Sequence, residues 1–251
     1  SVYPHLAAAS GATAITVDLD DAQCHDLDAM AAEITAATRL VIVCNPNNPT
    51  STALPFHEIA AFAARVPRHV ALIIDEAYCE FSLLDDPDAT LDLLPRHPNL
   101  VLLRTFSKVH GLCGLRVGYA LCGSEAFPQA VNAVRQPFFC NSAAQAAAIE
   151  ALKHQDAVAE RVERAIVARV EVEAGLDELG IRPAESQANF CWVHLPDDVE
   201  EKPVIDALQQ QGILVRAGAA LGRAGALRVT YGTPQQNDRF LAALGELLSA
   251  T

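Results

Sequence analysis

Three apolar runs of strand length constrain the fold more than any other feature: Leu40-Val41-Ile42-Val43-Cys44, Val70-Ala71-Leu72-Ile73-Ile74 and Leu100-Val101-Leu102-Leu103. None alternates with polar residues, so each suits a strand buried on both faces, as in a parallel sheet covered by helices. Val117-Gly118-Tyr119-Ala120-Leu121 reads as a further strand, and Ala14-Ile15-Thr16-Val17 as a short one. Helical patterns lie between them. One covers residues 26–37, with Leu27, Met30, Ala31 and Ile34 on one face, and another covers 55–65 with proline in its first turn. The alternation predicts an α/β fold whose mostly parallel sheet is flanked by helices.

Past Gln155 the texture changes. A long, charged helical pattern over 156–179 stops at Gly180. Short strands at 189–195, 213–215 and 227–230 then alternate with helices at 204–211 and 237–248, which predicts a smaller α+β domain. The expected domains are therefore residues 1–154 and residues 155–251, the second including the long helix. A chain of 251 residues is long enough for this.

The net charge of -13 argues against nucleic acid or an anionic membrane as partner, since either calls for a basic stripe. It does not argue against a small anionic substrate, which needs only a few local arginines. No uninterrupted apolar stretch reaches about 18 residues, so no membrane span is expected. None of the seven cysteines stands at CxxC spacing, and Cys44, Cys122 and Cys191 fall in apolar runs. Free thiols in the cytoplasm are expected. The eight histidines show no HxxxH or HxH spacing, so no metal site is expected.

The chemistry-bearing residues cluster at strand ends. Asn45-Pro46-Asn47-Asn48-Pro49-Thr50, Asp75-Glu76-Ala77-Tyr78 and Thr105-Phe106-Ser107-Lys108 each follow a buried strand, and Arg116 stands just before the next. Open α/β sheets bind ligands in the crevice at these carboxyl ends. Taken singly, each cluster has a plain reading: a turn, a helix cap, a solvated lysine. Together they fit one task. A lysine can form an imine with a cofactor aldehyde, and a strand-end carboxylate can pair with a pyridinium nitrogen. A tyrosine and an asparagine can donate to a phenolic oxygen. Hydroxyls at Thr105 and Ser107, with Arg116, can hold a phosphate.

The segments LVIVCNPNNPT, ALIIDEAYCEF and LLRTFSKVHGLCGLRVGYA, in this order, resemble the fold-type I pyridoxal-phosphate aminotransferases. The similarity runs on through QPFFCNSAAQAAAIEAL, SQANFCWVHL, GILVRAG and LRVTYGTPQQND, so it spans nearly the whole chain. It points to the histidinol-phosphate and aromatic-amino-acid branch. The resemblance implies pyridoxal 5'-phosphate as cofactor, carried by Lys108, which also moves the proton between the substrate Cα and cofactor C4′. It further implies Asp75 at the pyridine nitrogen, Asn48 and Tyr78 at the phenolic oxygen, and Thr105, Ser107 and Arg116 at the phosphate. Arg228 would take the substrate carboxylate, or the phosphate of histidinol phosphate, and Arg216 a distal anionic group. A homodimer exchanging amino groups between small molecules, glutamate among them, is implied as well.

Two departures bear on this reading. Ser51 stands where the family commonly has glycine, at a cost of about 1 kcal/mol if φ is positive there. The Thr50-Ser51 variant also points toward the aromatic branch. In addition, the family's glycine/serine-rich phosphate loop and N-terminal substrate cover are not in the sequence, which opens at Ser1 without methionine. A fragment of a longer protein is therefore expected, with unpaired sheet edges. Rival readings are a phosphothreonine decarboxylase, an inactive truncated aminotransferase-like domain, and a nucleotide hydrolase. The last rests on a Walker B-like Ala71-Leu72-Ile73-Ile74-Asp75-Glu76, but no Gly-Lys pair accompanies it. His110 is read as packing.

Overall fold

The three apolar runs pair as expected in the computed structural model, which describes residues 3–249. Strands β1 (Leu40–Cys44), β2 (Ala71–Asp75), β3 (Leu100–Thr105) and β4 (Gly118–Cys122) form one sheet in that order. β1, β2 and β3 are mutually parallel, and β4 runs antiparallel to β3. Alternate residues explain the continuous apolar runs. Leu72, Ile74, Leu100 and Leu102 face a core that includes Val43 and Leu54, and Ile73 and Val101 are buried as well. The helix Phe56–Arg65 covers the first face with Ile59 and Phe62, which are 0% and 1% exposed. Burying such a side chain contributes about 1.5–3 kcal/mol, so two of them fasten the helix to the sheet.

A second sheet contains β5 (Phe190–His194), β6 (Arg216–Ala217) and β7 (Ala226–Thr230), in the order β5-β7-β6 and antiparallel throughout. Cys191, Val193, Leu227 and Val229 belong to its core. That core is completed by Val172 and Leu176 of the helix Gln155–Glu178, Val204 and Leu208 of Glu201–Gln210, and Phe240 and Leu244 of Pro234–Ser249. Period-two alternation sends Trp192 and Arg228, which are register partners, to the other face.

The chain divides into two units. One takes residues 15–47 and 53–162; the other takes the stretch up to Ala14, Asn48–Thr52 and everything from Glu163 onward. This differs from the expected break after residue 154. The long helix starts in one unit and ends in the other, and its buried residues, Ala168, Arg169, Val172 and Leu176, all lie beyond the division. Its first turns contribute nothing to the second core, so the core boundary falls within the helix.

Local expectations fail where burial does not support them. Residues 14–17 form no strand, and Ile15 is 61% exposed. The helix expected over 26–37 is only Leu27–Ala32, capped by Asp26, whose carboxylate accepts from Ala29 N at 2.8 Å. Further on, the Thr38 hydroxyl accepts from Thr35 N at 2.9 Å, an alternative to helical pairing. The strand expected at 213–215 forms at Arg216–Ala217 instead. Among the described residues, no helix is long and apolar enough to cross a membrane.

All seven cysteines are free thiols. Burial, with a smaller contribution from Asp75, pushes Cys44 up to about 12, and burial pushes Cys191 up to about 12. Cys79 is buried and raised as well, whereas Cys113 is exposed. A native-state labelling time course with a maleimide, read by mass spectrometry of peptides, should modify Cys113 first. Cys44, Cys79 and Cys191 should react only on unfolding, because the thiolate is the nucleophile. Prompt native labelling of Cys44 would contradict this packing.

Candidate active site

Parallel pairing brings the carboxyl ends of β2 and β3 to one edge of their sheet, and most of the predicted site residues follow these ends. Asp75 is the last residue of β2 and is half-buried; its Oδ1 accepts from Ala77 N at 3.1 Å, which holds the carboxylate over the turn that follows. Tyr78 is buried in that turn. Lys108, exposed beyond β3, places its Nζ 4.9 Å from the centre of the Tyr78 ring. The strand ends therefore bring an amine and a phenol ring together, with a carboxylate three residues before the phenol.

The segment after β3 forms a closed loop. Thr105 Oγ1 accepts from Ser107 N at 3.1 Å, so both hydroxyl residues belong to one turn. Leu112 N donates to Phe106 O at 2.8 Å, and Phe106 N to Val117 O at 3.2 Å. The β3–β4 register pairs Thr105 with Gly118, and the Phe106–Val117 bond continues it. Ser107 follows and Arg116 precedes this bonded pair in the chain. Arg116 is exposed, takes a left-handed conformation with φ 55°, and donates to Cys113 O at 2.6 Å.

Two residues outside the predicted set support this loop. Arg161 Nη1 donates to Val109 O at 2.9 Å, directly after the lysine. The His110 ring packs against Phe106 at 4.9 Å between centroids, which agrees with a packing role. Burial, and then Arg161, lowers its pKa.

Glu76, adjacent to Asp75, is 2% exposed and turns elsewhere. Its Oε2 accepts from Arg104 Nε at 2.8 Å and its Oε1 from the Thr90 hydroxyl. Burial pushes its carboxyl up, against the pull of Arg104 and Thr90. Arg104 also donates to Asp88 at 2.6 Å and to the Pro87 carbonyl. Glu76 stood in a recognisable motif, but its partner lies 28 residues away with no spacing signal to reveal it.

The remaining predicted residues lie in the other unit. Arg228 Nη1 donates to Asn48 Oδ1 at 2.6 Å, and its guanidinium lies 5.0 Å from the Phe190 ring centre. Arginine only donates, so the Asn48 atom it meets is the carbonyl oxygen, and the amide group keeps its donors. Arg216 is the register partner of Arg228 across β6 and β7. Like charges directly opposite on adjacent strands repel, and a bound anion relieves the repulsion. Glu201 fixes the connection between these strands by accepting from Ala219 N and from Gly225 N, the latter at 2.6 Å.

A cavity of about 1060 Å³ lies in the first unit, lined by Phe106, Tyr119, Phe138, Phe139 and Ile149 among others. None of the predicted site residues lines it.

Comparisons with known proteins establish the family. The family model described as aminotransferase class I and II matches residues 1–244. The chain belongs to the class I and II aminotransferase family. It is 44% identical over 249 residues to histidinol-phosphate aminotransferase 2 of Pseudomonas aeruginosa, covering 99% of this chain and 66% of that protein. It is 41% identical to an aromatic amino acid aminotransferase of Cutibacterium acnes, covering 97% of this chain and 67% of that protein. Among solved structures, histidinol-phosphate aminotransferase of Sinorhizobium meliloti in complex with pyridoxal-5'-phosphate superposes with a TM-score of 0.88 at 29% identity. That match covers 99% of this chain and 68% of the other. The chain thus spans about two thirds of the length of its curated relatives.

The family's usual glycine position is also defined. Ser51 is fully buried with φ 64°, the left-handed region, and its carbonyl accepts from Gln187 N at 2.7 Å. Ser51→Val should lower unfolding free energy by about 2–4 kcal/mol, combining backbone strain with overpacking. Ser51→Gly should stay within about 1 kcal/mol of the parent. Urea denaturation of the three proteins measures both, and a harmless valine would mean the turn is not held as described.

Proposed function

We propose that this chain is the greater part of a pyridoxal-phosphate-dependent aminotransferase acting on histidinol phosphate, with Lys108 as its central catalytic residue. The observation that carries the reading is the grouping at the ends of β2 and β3, where Lys108 Nζ lies 4.9 Å from the Tyr78 ring and Asp75 ends the neighbouring strand. The donor set fits the cofactor. It offers an amine for an aldehyde, a carboxylate for a ring nitrogen, a phenol for a phenolic oxygen, and a hydroxyl turn with arginine for a phosphate. When bound, pyridoxal phosphate supplies an aldehyde carbon for amine exchange and a ring that accepts electrons.

The chain's own residues supply the rest. Asp75 would hold a proton on the ring nitrogen of the bound cofactor, and the Ala77 amide keeps its carboxylate in place. Tyr78 would orient the phenolic oxygen, a role that the family resemblance also gives to Asn48. Thr105, Ser107 and Arg116 anchor the phosphate. With the cofactor bound, Lys108 Nζ would move the proton between the substrate Cα and C4′, a general acid–base role. Arg228 and Arg216, register partners, hold the anionic end of the substrate. Two facing arginines suit a phosphate better than a single carboxylate, which supports amino transfer between glutamate/2-oxoglutarate and imidazole-acetol phosphate, the keto partner of histidinol phosphate.

The aromatic reading has an observation of its own, the Thr50-Ser51 variant with Ser51 at positive φ. The family resemblance supports a homodimer, and the free thiols support a cytoplasmic setting.

Titration with pyridoxal phosphate, followed by visible absorption, should give a saturable band that Lys108→Ala lacks, and turnover should fall by about 10²–10⁴-fold or more. A mutant that keeps both would refute the assignment of Lys108. Arg216→Ala and Arg228→Ala should each cut kcat/KM for histidinol phosphate by about tenfold or more, in line with loss of a charge-assisted contact. If both variants instead spare histidinol phosphate, and the parent prefers phenylalanine, the aromatic reading replaces the present one.

A further inference from the structure

Apart from Arg116, the residues assigned to the cofactor in the first unit come from two segments, Asp75 to Tyr78 at and after the end of β2 and Thr105 to Lys108 at and after the end of β3. Something must hold the two at a fixed spacing. Period-two alternation shows where to look. Asp75 and Leu103 are register partners, so they share a face of the sheet, and Thr105, two residues on, returns to it. Glu76 and Arg104, each one residue further along, point to the opposite face. There Arg104 Nε meets Glu76 Oε2 at 2.8 Å, with side chains only 8% and 3% exposed.

Resting on the cofactor reading above, we propose that Glu76 and Arg104 are positioning residues. Their ion pair bolts the end of β2 to the end of β3 from behind, so that Asp75 and Tyr78 address the same cofactor as Thr105, Ser107 and Lys108.

Three observations carry this. First, the backbone ladder continues past Asp75, with Glu76 N donating to Leu103 O at 2.9 Å, so the pair reinforces an existing link at the strand ends. Second, Glu76 O accepts from Cys79 N at 3.1 Å, which makes Glu76 the start of the turn that contains Tyr78. Arg104 directly precedes Thr105. Each partner of the pair is therefore covalently next to one cofactor segment. Third, the remaining atoms are engaged: Thr90 donates to Glu76 Oε1, and Arg104 reaches Asp88 and the Pro87 carbonyl. A buried ion pair is a poor source of net stability, because desolvation offsets its attraction and apolar replacements often do as well. A fork that joins β2, β3 and the loop at 87–90 is instead suited to setting position.

The test uses the purified protein with Arg104→Lys, which keeps the charge but loses the fork, and Glu76→Ala. Glu76→Gln, nearly isosteric, guards against a variant that fails to fold. Two readouts are taken: pyridoxal phosphate titration by visible absorption, and amide hydrogen exchange of the cofactor-free protein. Arg104→Lys and Glu76→Ala should weaken cofactor binding roughly tenfold or more, the order found when groups that orient ligand-holding side chains are removed. They should also raise the pH midpoint of the absorption band, because a less well paired ring nitrogen carries less positive charge. Glu76→Gln should fall between these variants and wild type. Exchange should accelerate in residues 75–81 and 104–109 together, whichever partner is changed, and stay unchanged in residues 190–249. Wild-type affinity and an unmoved band midpoint in all three variants would overturn the proposal. So would acceleration confined to the segment bearing the substitution. A wild-type protein that gives no band sinks the cofactor reading itself, and this inference with it.

Discussion

Parallel pairing of β1, β2 and β3 is the constraint on which the grouping in the first unit depends. Parallel strands need long crossovers, and each must run in the same direction, so β1, β2 and β3 all end at one edge of the sheet. The polar residues that follow them are collected there without any contact between them being required. Asp75 and Thr105 belong to strand ends, and Tyr78 and Lys108 to the first turns beyond. The antiparallel return of β4 adds Arg116, because the β3–β4 register carries on through Phe106 and Val117.

Alternation along a strand then separates two kinds of work. At the ends of β2 and β3 the Asp75 carboxylate and the Thr105 hydroxyl take one face, and a buried ion pair takes the other. The second sheet divides its faces in the same manner. Cys191, Val193, Leu227 and Val229 fill a core with three helices, while Trp192 and Arg228 take the opposite face. An arginine is held steady there by Asn48 and by the Phe190 ring, without being placed in a core that could not solvate it.

Legibility from sequence followed burial. Strands β2 and β3 were readable because burial on both faces removes polar residues from most of the run; β1 carries the same apolar run, although only Val43 of it is buried and Leu40 is exposed. The helix Phe56–Arg65 was readable because one face supplies Ile59, Phe62 and Ala63 to the core. Residues 14–17 look like a strand by composition but have no buried face, and β6 is only two residues long. Neither could be placed by pattern alone. The residues assigned to the cofactor stood out because Asp75, Tyr78, Lys108 and Arg116 occur in short segments of fixed spacing.

Sequence by itself therefore determined the family, the parallel sheet, and the residue types present at the strand ends, since each of these is written in contiguous stretches of chain. Tertiary structure alone decided which distant residues meet: Arg104 with Glu76, Asn48 with Arg228, Arg161 with the carbonyl of Val109. It also decided that the boundary between units falls inside the helix Gln155–Glu178. The physical reason is the same in each case. Such pairings depend on register and burial across separate elements, and no local pattern of residues encodes a partner 28, 52 or 180 positions away.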